Sequence, residues 1–183
     1  ALGLYDIPLT LLIAQQSQKD PKEYLPFLQN LHEQEQLRKQ VMIDDYLKNH
    51  DKALSSLHEI EKQQNTAEIK EEFDNYMILH GLFKQALKYY HYDNDRKNEI
   101  LKHYADALYN DHEYHESGII YEMLGYYKDA IQSNILAKDW QNCLSIINSN
   151  LDKFGKELEE TCDTLVESLT EAHRYQEAAI IEF

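Results

Sequence analysis

Apolar residues recur along the chain at helical spacing. In one stretch, Ile69, Phe73, Tyr76 and Met77 stand at positions i, i+4, i+7 and i+8, which is the spacing of one face of an α-helix. Similar stripes follow one another along the chain, separated by short polar breaks such as Asn-Ser-Asn at 148–150. The pattern predicts an all-α protein of about twelve helices with no strands.

A second pattern places an aromatic residue three positions ahead of a small one. The pairs are Tyr114 with Ser117, Tyr127 with Ala130, and Trp140 with Cys143. Residues i and i+3 share a helix face, so the small residue marks where a neighbouring helix comes close. The small positions are 13 residues apart, which leaves room for about three helical turns and a tight connection. We therefore predict a tighter central section of short antiparallel helices over residues 114–148.

Small residues at equivalent positions also occur outside that section. The whole set, which we call the small-residue seam, is Ala53, Ala86, Ser117, Ala130, Cys143 and Ala178. Successive members are 33, 31, 13, 13 and 35 residues apart, and the longer steps match the ~34-residue period of a tetratricopeptide helix pair. We predict a right-handed α-solenoid of irregular tetratricopeptide-like hairpins that forms one segment over residues 1–183.

Turn chemistry predicts several helix boundaries. Asp20 is a candidate N-cap, the segment 65–68 (Asn-Thr-Ala-Glu) is a candidate capping box, and Gly81 and Gly125 are candidate helix terminators. Pro26 has no N–H to donate, so we expect a single helical turn before it and a fresh or kinked helix after it. Beyond the break at 148–150, the apolar stripe predicts one long helix from about residue 153 to residue 172.

Composition and charge narrow the range of functions. The net charge of −15 should repel nucleic acid phosphates and anionic membranes at long range, and no apolar run is long enough to span a membrane. Cys143 and Cys162 lack metal-type spacing and suit a reducing compartment, so we expect a cytoplasmic protein, with the nucleus as a second compartment. The chain begins Ala-Leu-Gly-Leu and ends within an apolar helix face, which we interpret as a fragment of a longer protein.

Two local clusters resemble chemical sites only at first sight. The segment 112–116 (His-Glu-Tyr-His-Glu) spaces its histidines i, i+3, whereas a zinc-protease helix needs i, i+4. Asp93-x-Asp95 lacks the Gly and the final Glu of a calcium loop. We interpret both as turn and capping residues. Because no Gly-rich phosphate loop or local catalytic signature occurs either, we expect a protein that is not an enzyme and holds no cofactor and no metal.

The tyrosine-rich run at 89–92 is the strongest surface candidate. Half of this run must lie in the core, so we predict that one or two rings among Tyr89, Tyr90 and Tyr92 lie at a groove rim and contact a partner. Cationic side chains are too few and too scattered for a nucleic acid track. The chain also lacks the set of inward-facing Lys, Arg and Asn side chains with which tetratricopeptide grooves bind the terminal carboxylate of a peptide.

Several segments together resemble a known family. Residues 17–28 (Ser-Gln-Lys-Asp-Pro-Lys-Glu-Tyr-Leu-Pro-Phe-Leu) place two prolines inside a helical repeat at an uncommon spacing. With 43–48 (Ile-Asp-x-Tyr-Leu-Lys), 52–54 (Lys-Ala-Leu), 104–108 (Tyr-Ala-Asp-Ala-Leu) and 140–144 (Trp-Gln-Asn-Cys-Leu), they resemble the largest subunit of the Elongator complex. The resemblance covers essentially the whole chain, and the richness in Asn, Lys and Tyr favours a fungal member.

The resemblance implies a scaffold within a tRNA-modifying complex. In that family, β-propellers precede the helical repeats. The complex adds a carboxymethyl-type group to the wobble uridine through a different subunit, which carries a radical S-adenosylmethionine centre. The implied partners are the other Elongator subunits and a second copy of the full-length chain. Transfer RNA is associated with a basic stretch that is not in this sequence, and no catalytic residue can be carried over.

Two other functions fit the same helical pattern. A vesicle-coat or transport-complex scaffold shares the solenoid organisation, and a peptide-binding tetratricopeptide adaptor shares the hairpins. Our preferred hypothesis is a non-catalytic scaffold segment of the Elongator complex that holds partner subunits and contributes to self-association, without binding nucleic acid or a membrane itself.

Overall fold

A computed structural model of the chain describes residues 1–17, 20–154 and 158–182. Within these ranges the chain forms a 3₁₀ turn at Leu2–Leu4 and thirteen α-helices. The helices are α1 (Ile7–Gln16), α2 (Pro21–Glu33), α3 (Gln36–Tyr46), α4 (His50–Gln64), α5 (Ala67–His80), α6 (Phe83–Tyr89), α7 (Asn94–Asn110), α8 (Tyr114–Leu124), α9 (Tyr127–Ala137), α10 (Trp140–Ser149), α11 (Leu151–Phe154), α12 (Leu158–Glu171) and α13 (Tyr175–Glu182). The same ranges contain no strand, so the predicted all-α fold is confirmed.

The helices group into two compact units, Ala1–His91 and Tyr92–Phe183. In the first unit α1 contacts α2, α4 contacts both α3 and α5, and α6 packs on α4 and α5. In the second unit α8 contacts α7 and α9, α9 also contacts α10 and α12, and α13 packs on α12. Each unit is thus built from consecutive helices that pack on one another, as tetratricopeptide-like hairpins do. A single solenoid segment over 1–183 and a distinct section at 114–148 stay predictions.

The helix boundaries follow the local turn chemistry. The side chains of Asp20 and Thr66 accept hydrogen bonds from backbone N–H groups in the first turns of α2 and α5. Gly81 and Gly125 end α5 and α8 with φ of 65° and 80°, a left-handed conformation that costs glycine little. Helices α8, α9 and α10 begin at the three aromatic residues of the 13-residue pattern.

Pro26 lies inside one uninterrupted helix. Since α2 runs from Pro21 to Glu33, the fresh helix start expected at Pro26 is wrong, and the alternative of a kinked helix stays a prediction. The missing N–H removes only one intrahelical hydrogen bond, whereas the second half of α2 buries Leu28 and Leu31. Full burial of such a side chain stabilises by roughly 1.5–3 kcal/mol, which is enough to hold the helix through the proline.

Two sequence predictions fall partly on residues that the structure does not describe. Gln18 and Lys19 of the two-proline motif lie outside the described residues, and so do residues 155–157 of the predicted long helix. On either side of the latter gap the structure shows α11 and α12.

Each unit has its own hydrophobic core. In the first unit Leu28, Leu31 and Ile43 form a buried cluster, against which side chains from the 3₁₀ turn, α1 and α2 pack. In the second unit the core gathers residues from α7 to α12, including Ile147 and Leu165, which are fully buried. The regular 13-residue spacing of the central helices therefore serves packing in the second unit, where α8, α9 and α10 all contribute to one core.

Candidate functional site

The six residues of the small-residue seam are all buried. Five of them are 0% exposed and Ala178 is 6% exposed. They lie on α4, α6, α8, α9, α10 and α13, so each belongs to a helix that packs on a neighbour within its own unit. Ser117 also satisfies its hydroxyl locally, because its Oγ donates to the carbonyl of Tyr114 at 3.0 Å. That the six form one continuous seam stays a prediction.

Helices α8 and α9 approach each other closely at Gly118. A Cβ placed on Gly118 would lie 2.8 Å from Oδ1 of Asn134 and 3.4 Å from Cβ of Ser133. Gly118 is in mid-helix, where glycine is normally unfavourable, so its role here is to leave space for the side chain of Asn134. Nothing in the local sequence marks Gly118 as a point of close helix approach.

Tyr89 and Tyr90 enclose a histidine of the first unit. The ring of His58 stacks on Tyr89, with centroids 4.8 Å apart, and meets Tyr90 edge-on at 4.9 Å. The Tyr90 hydroxyl donates to Oε2 of Glu61 at 2.5 Å. Because that hydroxyl uses its hydrogen on Glu61, Nδ1 of His58, 3.0 Å away, donates to the Tyr90 oxygen. Both tyrosines are half-buried and contribute to packing between α4 and α6.

Tyr92, unlike Tyr89 and Tyr90, is exposed to solvent. It precedes α7 in the second unit, and its side chain is 90% exposed. An aromatic ring at that exposure is a favourable contact for a partner, since aromatic side chains are enriched at protein interfaces. A partner surface at Tyr89, Tyr90 and Tyr92 stays a prediction.

Helix α8 carries an apolar stripe on its outer face, which we call the α8 stripe: Ile119, Met123 and the following Tyr126. These side chains are 50%, 64% and 45% exposed, whereas Ser117 and Tyr121 of the same helix are buried. Ile119 and Met123 stand at i and i+4 on α8, so helical periodicity indicates a second apolar face, and Tyr126 follows just after the left-handed Gly125 that ends the helix. The aromatic–small pattern marks only the inner, buried face of α8.

Four titratable side chains from three helices meet in the first unit. This group, the histidine cluster, comprises Asp45 at the end of α3, His50 at the start of α4, and Tyr76 and His80 on α5. The Tyr76 hydroxyl donates to Oδ1 of Asp45 at 2.9 Å and lies 2.9 Å from Nδ1 of His50. The rings of His50 and His80 stack with centroids 3.8 Å apart and planes 17° apart. Sequence reasoning missed the cluster because its members are widely separated along the chain.

The pKa values of two members of the histidine cluster, His80 and Tyr76, are shifted. Burial, and after it the neighbouring His50, lowers the pKa of His80. Burial and the hydrogen bond to Asp45 raise the pKa of Tyr76. His80 is therefore neutral near pH 7 and keeps a lone pair, and Tyr76 keeps its proton.

The segment 112–116 and the motif at Asp93 contain turn and capping residues, as predicted. Asp93 caps α7, because its carboxylate accepts from the backbone N–H of Arg96 at 3.1 Å. His112 adopts φ of 66° in the turn before α8, and its Nδ1 lies 2.6 Å from the Tyr114 hydroxyl. His115 instead faces Asp139, with Nδ1 and Oδ2 3.1 Å apart. The two histidines thus point to different partners.

A polar cavity of about 530 Å³ in the second unit is lined by residues that include Arg174 and Glu177, whose charged side chains pair with each other. Arg174 donates to the Lys138 carbonyl at 2.9 Å and pairs with Glu177. The Trp140 Nε1 also donates to Glu177, at 2.9 Å, and these bonds, that of Arg174 first, lower the pKa of Glu177. These contacts hold α13 to the turn between α9 and α10, which is a structural role.

Consecutive helices that pack on one another and bury small residues define this chain as a helical-repeat protein. Among the described residues, no helix is long and apolar enough to cross a membrane. The exposed apolar side chains of α8 are the kind of surface by which such repeats bind other proteins.

Comparison with known proteins specifies the family. A family model described as the ELP1 TPR domain matches residues 38–183, and one described as the ELP1 alpha-solenoid matches residues 1–31. The chain therefore belongs to the Elongator complex protein 1 family, as its motifs indicated. Between the two matches, residues 32–37 contain the end of α2, the turn that follows it and the start of α3.

Relatives from fungi and animals align along nearly the whole chain. It is 44% identical to Elongator complex protein 1 of Saccharomyces cerevisiae over 182 residues, 39% identical to that of Schizosaccharomyces pombe over 181 residues, and 32% identical to that of Mus musculus over 181 residues. These alignments cover 99–100% of this chain but only 13–14% of each relative. The chain thus corresponds to a small part of its relatives.

Proposed function

We propose that this chain is a non-catalytic assembly segment of the Elongator complex. Its helical hairpins present defined faces to partner subunits and contribute to self-association of the scaffold subunit. In this way the chain supports modification of the tRNA wobble uridine without supplying a reacting group. The curated relatives are named as proteins of the Elongator complex, which supports assembly into a multi-subunit complex.

The observation that carries this proposal is the α8 stripe. Ile119 and Met123 are large apolar side chains that remain 50% and 64% exposed on a helix whose other face is buried. Exposed apolar side chains grouped on one helix face are typical of protein–protein interaction sites. We assign this face to another subunit of the complex.

The charge of the chain favours protein partners over nucleic acid. At a net charge of −15, the surface repels phosphates and attracts basic protein surfaces. We therefore propose that this segment does not bind tRNA directly and that the complex acts in the cytoplasm, with the nucleus as a second compartment.

The proposal is tested in cells with the full-length protein carrying Ile119→Asp and Met123→Asp. We expect the recovery of other Elongator subunits with the affinity-purified variant to fall several-fold, and the modified wobble uridine, measured by mass spectrometry of tRNA, to fall with it. The matched control carries Gln132→Asp and Gln141→Asp, two exposed positions on α9 and α10 that add the same charge. Unchanged recovery and unchanged modification in the stripe variant would refute the assignment.

The same purification separates the alternative functions. Recovery of coat proteins in place of Elongator subunits would favour a transport scaffold, and micromolar binding of a chaperone C-terminal peptide would favour a peptide adaptor. Light scattering of this chain beside a longer version of the protein reports self-association. A monomeric mass for both would contradict the part of the proposal that concerns pairing of the scaffold.

A further inference from the structure

We propose that Asp45, His50 and His80 form a binding site for a divalent transition metal of the zinc class. One ligand atom from each residue lies within 4.8 Å of the other two. Two imidazoles and a carboxylate are a ligand set that suits zinc and its neighbours in the first transition series. The proposal departs from our sequence-based expectation of no metal, and it is independent of the assembly function.

The distances are close to those that a tetrahedral ion requires. Zinc binds histidine nitrogen and carboxylate oxygen at about 2.0–2.2 Å, so neighbouring ligand atoms around it lie roughly 3.3–3.5 Å apart. Nδ1 of His50 is 3.4 Å from Oδ1 of Asp45, which meets that condition. Nε2 of His80 is 3.9 Å from the same oxygen, so His80 must move by about half an ångström to reach it.

Binding also requires one imidazole ring to turn. A metal lies close to the plane of each ring that ligates it, and two rings stacked 3.8 Å apart and nearly parallel cannot both contain it. His80 occupies the last position of α5 and is followed by Gly81, so its side chain can rotate without displacing a neighbouring turn. We expect the stacked rings of His50 and His80 to separate when the ion binds, so this separation is a structural sign of binding.

Metal binding at His50 involves the single N–H proton of its ring. His50 donates its Nδ1 proton to Tyr76 in the metal-free state, because the Tyr76 hydroxyl donates to Asp45. The neutral His50 ring carries only this one proton, so it must change tautomer to bind the metal: the proton leaves Nδ1 and Nε2 becomes protonated. Nδ1 then offers its lone pair to the ion, and no net proton is released. Tyr76 keeps its 2.9 Å hydrogen bond to Asp45 and so orients the carboxylate, a supporting contact that commonly strengthens metal sites.

The location suggests what the ion would do. Asp45, His50 and His80 come from α3, α4 and α5, which pack consecutively in the first unit. All three residues are partly exposed, so an ion can enter from solvent and water can complete its coordination. An ion bound there ties three helices together and stabilises the first unit by linkage.

The test titrates the 183-residue chain with Co²⁺, whose visible absorption reports four-coordinate sites. We expect saturation at one equivalent, displacement of Co²⁺ by Zn²⁺, and a higher unfolding temperature with either ion. His50→Gln and His80→Gln should each weaken binding by about tenfold or more. The matched control is His32→Gln, which removes an exposed histidine of α2 and should leave affinity unchanged.

Two further measurements keep the test decisive if a histidine variant loses helicity. Asp45→Asn retains an acceptor for Tyr76 and removes the charged ligand, so it should also abolish tight binding. In the unsubstituted chain, Co²⁺ should shift the side-chain nuclear magnetic resonance signals of His50 and His80 before those of other histidines. No visible band at one equivalent, or binding unaffected by all three substitutions, would overturn the proposal.

Discussion

Gly118 offers the sharpest test of how α8 and α9 pack. A methyl group at this position would lie 2.8 Å from Oδ1 and 3.3 Å from Cγ of Asn134, well inside ordinary van der Waals contact. Asn134 is only 2% exposed, so its side chain has little room to move away. We therefore consider Gly118→Ala, the smallest substitution that probes this approach.

Two opposing effects determine how much Gly118→Ala changes the free energy of unfolding. Replacing Gly by Ala within a helix stabilises it by about 1 kcal/mol, whereas overpacking a tight contact costs about 1–3 kcal/mol. The net effect on the free energy of unfolding should be a loss of about 0–2 kcal/mol. In a chain that already carries Asn134→Ala the clash is absent, and Gly118→Ala should instead stabilise by about 1 kcal/mol.

A double-mutant cycle measures this difference directly. The four proteins are unfolded in urea and followed by circular dichroism, and the coupling free energy between Gly118 and Asn134 should be about 1–3 kcal/mol. The Oδ1 atom of Asn134 has no hydrogen-bond partner among the described residues, so its removal costs no hydrogen bond at that atom. Gly118→Ala stabilising both backgrounds equally would show that α8 and α9 do not approach closely here.

Three other predictions follow from burial and charge. Ala130→Leu, at a position that is 0% exposed, should overpack the contacts of α9 and cost about 1–3 kcal/mol; an unchanged unfolding temperature would contradict the close packing. Burial raises the pKa of Cys143 to about 12, so about one thiol in ten thousand is ionised near pH 8, against about a quarter for an ordinary cysteine. Iodoacetamide should therefore modify Cys143 far more slowly in the folded chain than in urea, as mass spectrometry would show. The chain should also give no gel shift with tRNA at physiological salt, and a clear shift would contradict the charge argument.

Local features of the fold were predictable from sequence because they depend on nearby residues. Asp20 and Thr66 cap helices since their side chains reach backbone N–H groups two or three residues away. Gly125 ends α8 since it alone adopts the left-handed conformation there at little cost. Pro26 shows the limit of this reasoning, because the break expected from its chemistry was overridden by burial of Leu28 and Leu31 against other elements.

The candidate sites were less predictable because they join distant residues. The sequence marked the tyrosine run at 89–92, yet it could not show that Tyr90 bonds to Glu61, which is 29 positions away. Nothing in the sequence paired His50 with His80. The α8 stripe is intermediate, since helical spacing reveals it but only the packing of α8 shows which of its two apolar faces remains outside.

By itself the sequence determined the all-helical class, the 13-residue spacing of the starts of α8, α9 and α10, several helix ends and, through its motifs, the family. Each of these depends on spacing within a few turns of helix. The tertiary structure alone decided that Gly118 makes room for Asn134, that Ile119 and Met123 stay exposed, and that Asp45, His50 and His80 meet. Those contacts arise when separate helices pack, and packing depends on the shapes of whole faces rather than on any local pattern.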